Sequence, residues 1–291
     1  MLVRRERPGE SSEMNGGIFK VRWWAAWTTT LALTAATPAS AQWVSYPTAG
    51  VPRTAAGEPN LSAPAPRGAD GKPSLAGMWF SVDLNPECSE QDCIPQMNLP
   101  MDQLNIGRTL KDGLPYQPWA AALVAERTAN GAKDDPHAAC LPPNFPRAFS
   151  LPQYIKIVPT PDLVVILHEF NASFRQIFLD GRPLPEASLP AWSGYSTGHW
   201  EGDTLVVESS GFRDDLWLDL AGSPLTSAAH VTERFRRPTF GRLEIEVTVD
   251  DPKAYTRPWT VTLKQNIVLD TELIEETCLE NEEDTRLFKK P

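Results

Sequence analysis

The stretch Leu243-Glu-Ile-Glu-Val-Thr-Val-Asp250 decides the fold class of this chain. Its apolar residues occupy every second position, and Glu, Thr and Asp fill the positions between them. Successive residues of a β-strand point to opposite faces, so only a strand converts this alternation into one apolar and one polar face. The stretch therefore predicts a strand with one face in a core and the other in water.

Comparable segments surround this strand, and short turn sequences such as Glu201-Gly-Asp203 separate several of them. The predicted strands are 77–82, 154–159, 163–169, 173–179, 194–200, 204–209, 230–237, 242–250, 258–267 and 271–278. About ten short strands joined by tight turns favour a mainly β protein, either an antiparallel lipocalin-like barrel or a curled meander. A two-sheet sandwich is the structural alternative.

A single helix is predicted over 118–130, near an open end of the barrel. Pro118 suits a first helical turn, alanines follow it, and Gly131 can end the helix in the left-handed conformation. Residues 42–74 are rich in Pro, Ala, Gly and Ser and carry few large apolar side chains. This composition predicts a flexible arm that leads into a single domain over 75–291.

The first 41 residues have the pattern of a secretory signal peptide. Lys20 and Arg22 precede an apolar run, and Ala39-Ser40-Ala41 offers small residues for cleavage. Translation can start at Met1 or at Met14, and an uncleaved membrane anchor is the alternative. The signal predicts a periplasmic or secreted protein without stable membrane insertion after cleavage.

The charge balance is acidic, with a net charge of −10 over 291 residues. Cleavage of the signal would remove five basic and three acidic residues, which makes the remaining chain more acidic still. Such a chain gains nothing from releasing the counterions of a nucleic acid, so no nucleic-acid partner is expected. The sequence leaves the oligomeric state open.

All four cysteines follow the signal, and an even number in an exported chain predicts disulfides. Cys88 and Cys93 are close enough in sequence to close a local loop. Cys140 and Cys278 flank the predicted strand series, so a bond between them would tie the ends of the β region together. A four-cysteine zinc site lacks the usual pairs of closely spaced cysteines. We therefore predict Cys88–Cys93 and Cys140–Cys278, and no metal.

Several blocks of sequence carry a family resemblance: Asp180-Gly-Arg-Pro-Leu-Pro185, Gly198-His-Trp-Glu-Gly-Asp-Thr-Leu-Val-Val-Glu208, Thr232-Glu-Arg-Phe-Arg-Arg237 and Asp250-Asp-Pro-Lys-Ala-Tyr-Thr256. Together they resemble a family of exported proteins of environmental Gram-negative bacteria that has no established reaction. The resemblance covers residues 115–285. Separately, Gly77 and Trp79 resemble the Gly-x-Trp at the start of lipocalin barrels.

The leading functional hypothesis is a barrel that binds a small apolar or aromatic molecule. Aromatic side chains near the predicted barrel mouths would provide the walls, and a few charged or polar side chains would orient the ligand. A pair between Arg175 and Glu233 inside the barrel would be such an anchor, or an internal ion pair that sets strand register. The predicted ligand-binding residues are Arg175, Trp192, Tyr195, Trp200, Trp217 and His230.

A second hypothesis uses the same cavity for acid–base chemistry without a cofactor, as in an isomerase, lyase or hydrolase. His168 ends an apolar strand and is the candidate base, with Glu233 or Asp214 as its partner. The alternative for each histidine is a structural role. Motifs for nucleotide binding, for a nucleophilic serine and for a metalloprotease are missing from the sequence.

A third hypothesis is an envelope protein that meets a basic partner through acidic residues, with plain solubility as the alternative reading of the same charges. These acidic residues are Glu244, Glu246, Asp250, Asp251, Glu275, Glu276, Glu280, Glu282 and Glu283.

Overall fold

In the computed structural model of the protein, the alternating segments form a closed barrel of nine strands. The structure describes residues 46–81, 93–94, 99–100, 105–186 and 189–281. The barrel strands are β1 (Gly77–Phe80), β2 (Tyr154–Pro159), β3 (Leu163–His168), β4 (Phe174–Phe178), β5 (Tyr195–Glu201), β6 (Thr204–Ser210), β7 (His230–Thr239), β8 (Arg242–Asp250) and β9 (Trp259–Val268). Around the barrel their order is β1-β9-β8-β7-β6-β5-β4-β3-β2, and β2 pairs back with β1.

Strand β8 shows how the sequence pattern builds the wall. Leu243, Ile245, Val247 and Val249 are each fully buried in the interior, as the alternation predicted. Antiparallel neighbours on both sides, β7 and β9, hold the strand in register. The predicted barrel is therefore confirmed, and it has nine strands.

We name the two ends of the barrel after the chain segments that cover them. The arm end carries the β2–β3, β5–β6 and β7–β8 turns. The plug end carries the β3–β4 turn, the long connection between β6 and β7, and the segment 142–151, which we call the plug. In the plug, Phe149 packs edge-to-face on the interior residue Phe235, with 5.7 Å between ring centroids. Since Gln265 of β9 also donates to the carbonyl oxygen of Phe149, the plug enters the barrel.

One strand pairing departs from the predicted antiparallel arrangement. Strands β4 and β5 pair in parallel, at Ile177 with Ser196 and at Phe178 with Thr197 only. The chain leaves β4 at the arm end and must return to the plug end before β5 begins. The Pro-rich connection 179–194 makes this return, which a tight hairpin cannot do.

The predicted strand 271–278 does not form. In its place a single bridge joins Phe170 and Glu276, and a short helix, α2, begins at Cys278 and ends at Asn281. The physical reason is closure: β9 pairs with β1, and β1 pairs with β2, so the barrel offers no free edge to another strand.

The predicted helix is present as α1 (Pro118–Ala129), and it lies against loops of the plug end. Trp119 donates its indole hydrogen to the carbonyl oxygen of Lys253, and Arg127 donates to that of Gly222. Other short elements are a 3-10 turn at Arg147–Phe149 and two-residue strand pairs, Cys93–Ile94 with Leu99–Pro100 and Leu216–Trp217 with Pro224–Leu225. None of the described helices is long and apolar enough to cross a membrane.

Residues 46–74, for which composition predicted a flexible arm, touch the barrel at several points. Backbone N–H groups of Phe240 and Gly241 donate to the carbonyl oxygens of Ala63 and Leu61. Arg67 forms a bidentate ion pair with Asp203 in the β5–β6 turn. The composition of this segment shows only that it has few apolar side chains to bury. The contacts that attach it to the barrel are backbone hydrogen bonds and an ion pair, which cannot be predicted from composition.

The disulfide between Cys140 and Cys278 is confirmed. It joins the segment before the plug to α2, and Asn171 of the β3–β4 turn hydrogen-bonds both cysteine backbones. Cys88, the partner of Cys93 in the other predicted disulfide, and the predicted signal peptide over 1–41 lie outside the described residues.

Candidate functional site

The parallel pairing of β4 and β5 leaves a groove in the barrel wall, which we call the seam groove. The two strands pair only between Ile177–Phe178, in the arm-end half of β4, and Ser196–Thr197, near the plug-end start of β5. Residues 174–176 and 191–195, which come before this pairing, line the groove from its two sides. The groove has a volume of about 480 Å³. The residues that line it are Pro142, Pro143, Asn171, Ala172, Ser173, Phe174, Arg175, Gln176, Phe178, Ala191, Trp192, Ser193, Gly194, Tyr195 and Ser196.

Aromatic rings form the walls of the seam groove. Phe174 is 62% exposed, which is unusual for a phenylalanine of a barrel strand. Phe178 and Tyr195 stack with 5.3 Å between their centroids, and Trp192 is half-buried. These rings offer flat apolar surface to a ligand without any rearrangement of the core.

Two arginines stack on two of these rings. The Arg182 guanidinium lies 4.0 Å from the Phe178 centroid, and that of Arg213 lies 4.8 Å from the Trp192 centroid. Each has a carboxylate two residues away: hydrogen bonds from Arg182 lower the pKa of Asp180, and those from Arg213 lower the pKa of Asp215. Both carboxylates therefore stay ionised, and the rim of the groove is balanced in charge.

The floor of the seam groove is a buried polar network. Arg175 holds Glu233 with both terminal nitrogens, and the bond from Nη1 to Oε1 measures 3.0 Å. Its Nε donates to Ser196 at 3.0 Å and Nη2 donates to Ser209 at 2.8 Å. Because both carboxylate oxygens accept from one guanidinium, the pair holds β4 against β5, β6 and β7 where β4 and β5 are not hydrogen-bonded.

The opposite wall, residues 191–194, is held by the chain that follows β6. Ala191 exchanges backbone hydrogen bonds with Gly211 and Arg213. Gly194 has φ = 62°, and a Cβ there would lie 2.5 Å from the carbonyl oxygen of Ser210. A side chain at this position is excluded by both backbone conformation and space, so glycine lets β5 start close to β6.

Three of the predicted ligand-binding residues thus come together at the seam groove: Arg175, Trp192 and Tyr195. The other three do not. Trp200 faces a separate cavity at the arm end, and His230 is exposed at the start of β7. Trp217 is 3% exposed beneath the Arg127 guanidinium, so it has no surface to offer a ligand.

The candidate acid–base residues do not converge on one accessible point. His168 is 1% exposed, and Phe145 of the plug contacts both its ring and the guanidinium of Arg175. Glu233 is fully buried and bound by Arg175 through both oxygens. Asp214 lies on the surface, where it accepts from the N–H of Ser227 and approaches Lys253. Sequence reasoning located His168 and Glu233 by their positions in strands and Asp214 in a loop after a strand. Strand position gives no information about the plug.

Burial sets the titration of the two histidines near the plug. Desolvation lowers the pKa of His168 to about 4. Neither ring nitrogen of His168 has a hydrogen-bond partner. Desolvation, helped by the charge of Arg147, also lowers the pKa of His137 to about 4. Both rings are neutral at pH 7.

The groove residues that the sequence analysis missed are Phe174, Phe178 and the turn 171–173. An available signal was the long connection after Asp180, which is too long for a hairpin and indicates a crossover. The positive φ of both Asn171 and Ala172 gave no signal in the sequence.

The acidic residues of the interaction hypothesis do not share one role. Asp251 is 1% exposed and accepts hydrogen bonds from Thr226, while Glu244 pairs with Arg236. Glu282 and Glu283 lie outside the described residues, as does the side chain of Glu280. Among described residues, no three His, Cys, Asp or Glu side chains are placed to share a metal ion.

Comparison with protein-family models, with curated proteins and with solved structures finds no match to this chain.

Proposed function

We propose that this protein is an exported barrel that binds a small, uncharged aromatic molecule in the seam groove. The observation that supports this most strongly is the meeting of Arg175, Trp192 and Tyr195, each predicted from sequence to bind a ligand, around one groove of about 480 Å³. That volume is in the range typical of small-molecule sites. The disulfide is compatible with export, because such bonds persist in oxidising compartments.

The chemistry of the groove favours an aromatic ligand over an aliphatic one. Phe174, Trp192 and Tyr195 present ring faces and edges, which are matched best by another flat ring. The balanced rim charges, with Arg182 and Arg213 already paired, favour a ligand without a net charge. Hydroxyl groups of Ser173 and Ser193 can orient one polar substituent.

The test is a titration with uncharged aromatic compounds, 2-naphthol and indole among them, followed by NMR of ¹⁵N-labelled tryptophan side chains. We expect the Trp192 indole resonance to shift, and the variant Trp192→Leu to bind about tenfold more weakly because a stacked ring pair is lost. Trp119→Leu is the matched control, since Trp119 is an exposed tryptophan on α1 outside the groove. A Trp192 resonance that stays fixed up to millimolar ligand would refute the proposal.

The family resemblance of the Asp180–Pro185 and Gly198–Glu208 blocks remains a proposal as well. The first block begins the crossover beside the groove, and the second spans the β5–β6 hairpin.

A further inference from the structure

A second cavity lies at the arm end of the barrel and is separate from the seam groove. We call it the mouth cavity; its volume is about 410 Å³. Trp200 lies on the same face of β5 as Ser196, so it points toward the barrel axis at this end. Val164 and Leu75, each 2% exposed, form its deep part, and Leu179 completes the wall.

The roof of the mouth cavity is the end of the arm, residues 68–74. Two contacts attach this roof to the β5–β6 turn: the ion pair of Arg67 with Asp203, and a 3.1 Å hydrogen bond from Lys72 Nζ to the carbonyl oxygen of Gly202. The barrel mouth is therefore covered by a segment that is held mostly by exposed polar contacts.

Apart from Trp200 and the polar residues Asp70, Lys72, Ser74 and Thr160, the mouth cavity is lined by aliphatic side chains. Pro73, Pro159 and Pro161 add to the surface that Leu75, Val164 and Leu179 provide. The two hydroxyl groups in the lining already have partners: Ser74 accepts from the N–H of Ala76, and Thr160 donates to the carbonyl oxygen of Leu163. The apolar walls therefore suit an alkyl chain, and their hydroxyl groups need no hydrogen-bond partner from a ligand.

One cation stands at the rim of this apolar space. The Lys72 ammonium makes one hydrogen bond, to Gly202, which leaves two of its three hydrogens for another acceptor. The nearby Asp70 carboxylate is exposed and accepts the backbone N–H of Lys72 through one oxygen. Asp203 is held by Arg67 through both oxygens.

We propose that the mouth cavity is a second binding site, which takes the alkyl chain of a medium-chain aliphatic carboxylate and pairs its carboxylate with Lys72. The chain lies along Val164, Leu179 and Trp200 beneath the arm, and the head group remains at the rim. An anionic head group with a flexible chain fits this cavity because Lys72 has donors left, whereas the seam groove offers flat rings and two arginines that are already paired. The two sites therefore select different ligands.

The experiment uses decanoate, and decanol as the same chain without the charge. NMR of ¹⁵N-tryptophan side chains distinguishes the sites, because Trp200 reports on the mouth cavity and Trp192 on the seam groove. We expect decanoate to shift Trp200 but not Trp192, and to bind about tenfold more tightly than decanol, as one charge-assisted hydrogen bond at a half-exposed site allows.

Two variants sharpen the test. Lys72→Gln should remove the advantage of decanoate and leave decanol binding unchanged, while Lys253→Gln, a change at the plug end, should affect neither. Leu179→Trp should fill the cavity and abolish the binding of both, with dispersed NMR spectra as proof of folding. Equal affinity for decanoate and decanol, an unchanged affinity in Lys72→Gln, or a shift of Trp192 in place of Trp200 would each overturn the proposal.

Discussion

Mild acid should destabilise this barrel through two buried histidines, and the effect can be worked out from their environment. His168 and His137 have a folded-state pKa of about 4, against 6.5 when exposed to water. Below pH 6.5 these two histidines bind protons in the unfolded chain but remain neutral in the folded protein until the pH approaches 4. The stability that neutral His168 and His137 provide is therefore complete above pH 6.5 and is lost between pH 6.5 and 4.

The size of the loss follows from the same values. A pKa difference of about 2.5 units corresponds to about 3.4 kcal/mol once both forms are protonated. At pH 5 the linkage relation gives about 2 kcal/mol for each histidine relative to pH 7. Together, the two histidines should lower the free energy of unfolding by about 4 kcal/mol at pH 5 relative to pH 7. This is a large part of the free energy of unfolding of a typical domain.

Two carboxyl groups near the plug act in the opposite direction. Burial raises the pKa of Glu169 and of Asp219, so protonation of these carboxyls offsets part of the loss. The Asp135–Arg147 pair is buried, with hydrogen bonds of 2.6 and 2.7 Å. A comparison of variants is therefore needed to isolate the histidines.

The assay is urea unfolding of the oxidised protein at pH 7 and pH 5. His168→Leu should lose about 2 kcal/mol less than the wild type between these pH values, because it removes one of the two protonation sites. His230→Gln is the matched control at an exposed histidine and should lose as much as the wild type. The reasoning fails if the wild type is equally stable at both pH values, or if His168→Leu and the wild type lose the same amount.

Two further predictions concern the bonds that hold the barrel together. Glu233→Gln should lower the free energy of unfolding by about 3–5 kcal/mol, because Arg175 is left buried without its counter-charge. The double variant Arg175→Met/Glu233→Leu should lose much less stability. Equal losses for the two variants in urea titrations would contradict this reading. Reduction of the Cys140–Cys278 disulfide, or the variant Cys140→Ser/Cys278→Ser, should lower the free energy of unfolding by about 5 kcal/mol relative to the oxidised protein, because the bond closes a long loop. A loss under about 1 kcal/mol would show that the unfolded chain is restrained by other means.

Much of the barrel could be predicted from sequence because strand formation is a local property here. The alternation in Leu243–Asp250 is visible residue by residue, and so are the turns that separate the strands. The Arg175–Glu233 pair was predictable for the same reason: each charge occupies an inward position in its own strand, and a buried charge requires a partner.

The candidate site was only half predictable. Trp192 and Tyr195 were marked as aromatic residues near a barrel mouth, but the groove that they line exists because β4 and β5 run parallel and separate toward the plug end. Trp217 is not accessible to a ligand because α1 and the Arg127 guanidinium cover it. Which segments cover which side chains depends on contacts far apart in sequence, and periodicity carries no information about them.

The sequence by itself predicted the nine barrel strands, the main helix, many of the inward side chains and the Cys140–Cys278 pairing, because each depends on local alternation or on a small set of possible partners. Tertiary structure decided the rest. Closure through β1 left no edge for a strand at 271–278, and the plug placed Phe145 against both His168 and Arg175. The crossover at 179–194 opened the seam groove. These outcomes follow from the limited space inside and around a closed barrel, which becomes defined only when all nine strands are in place.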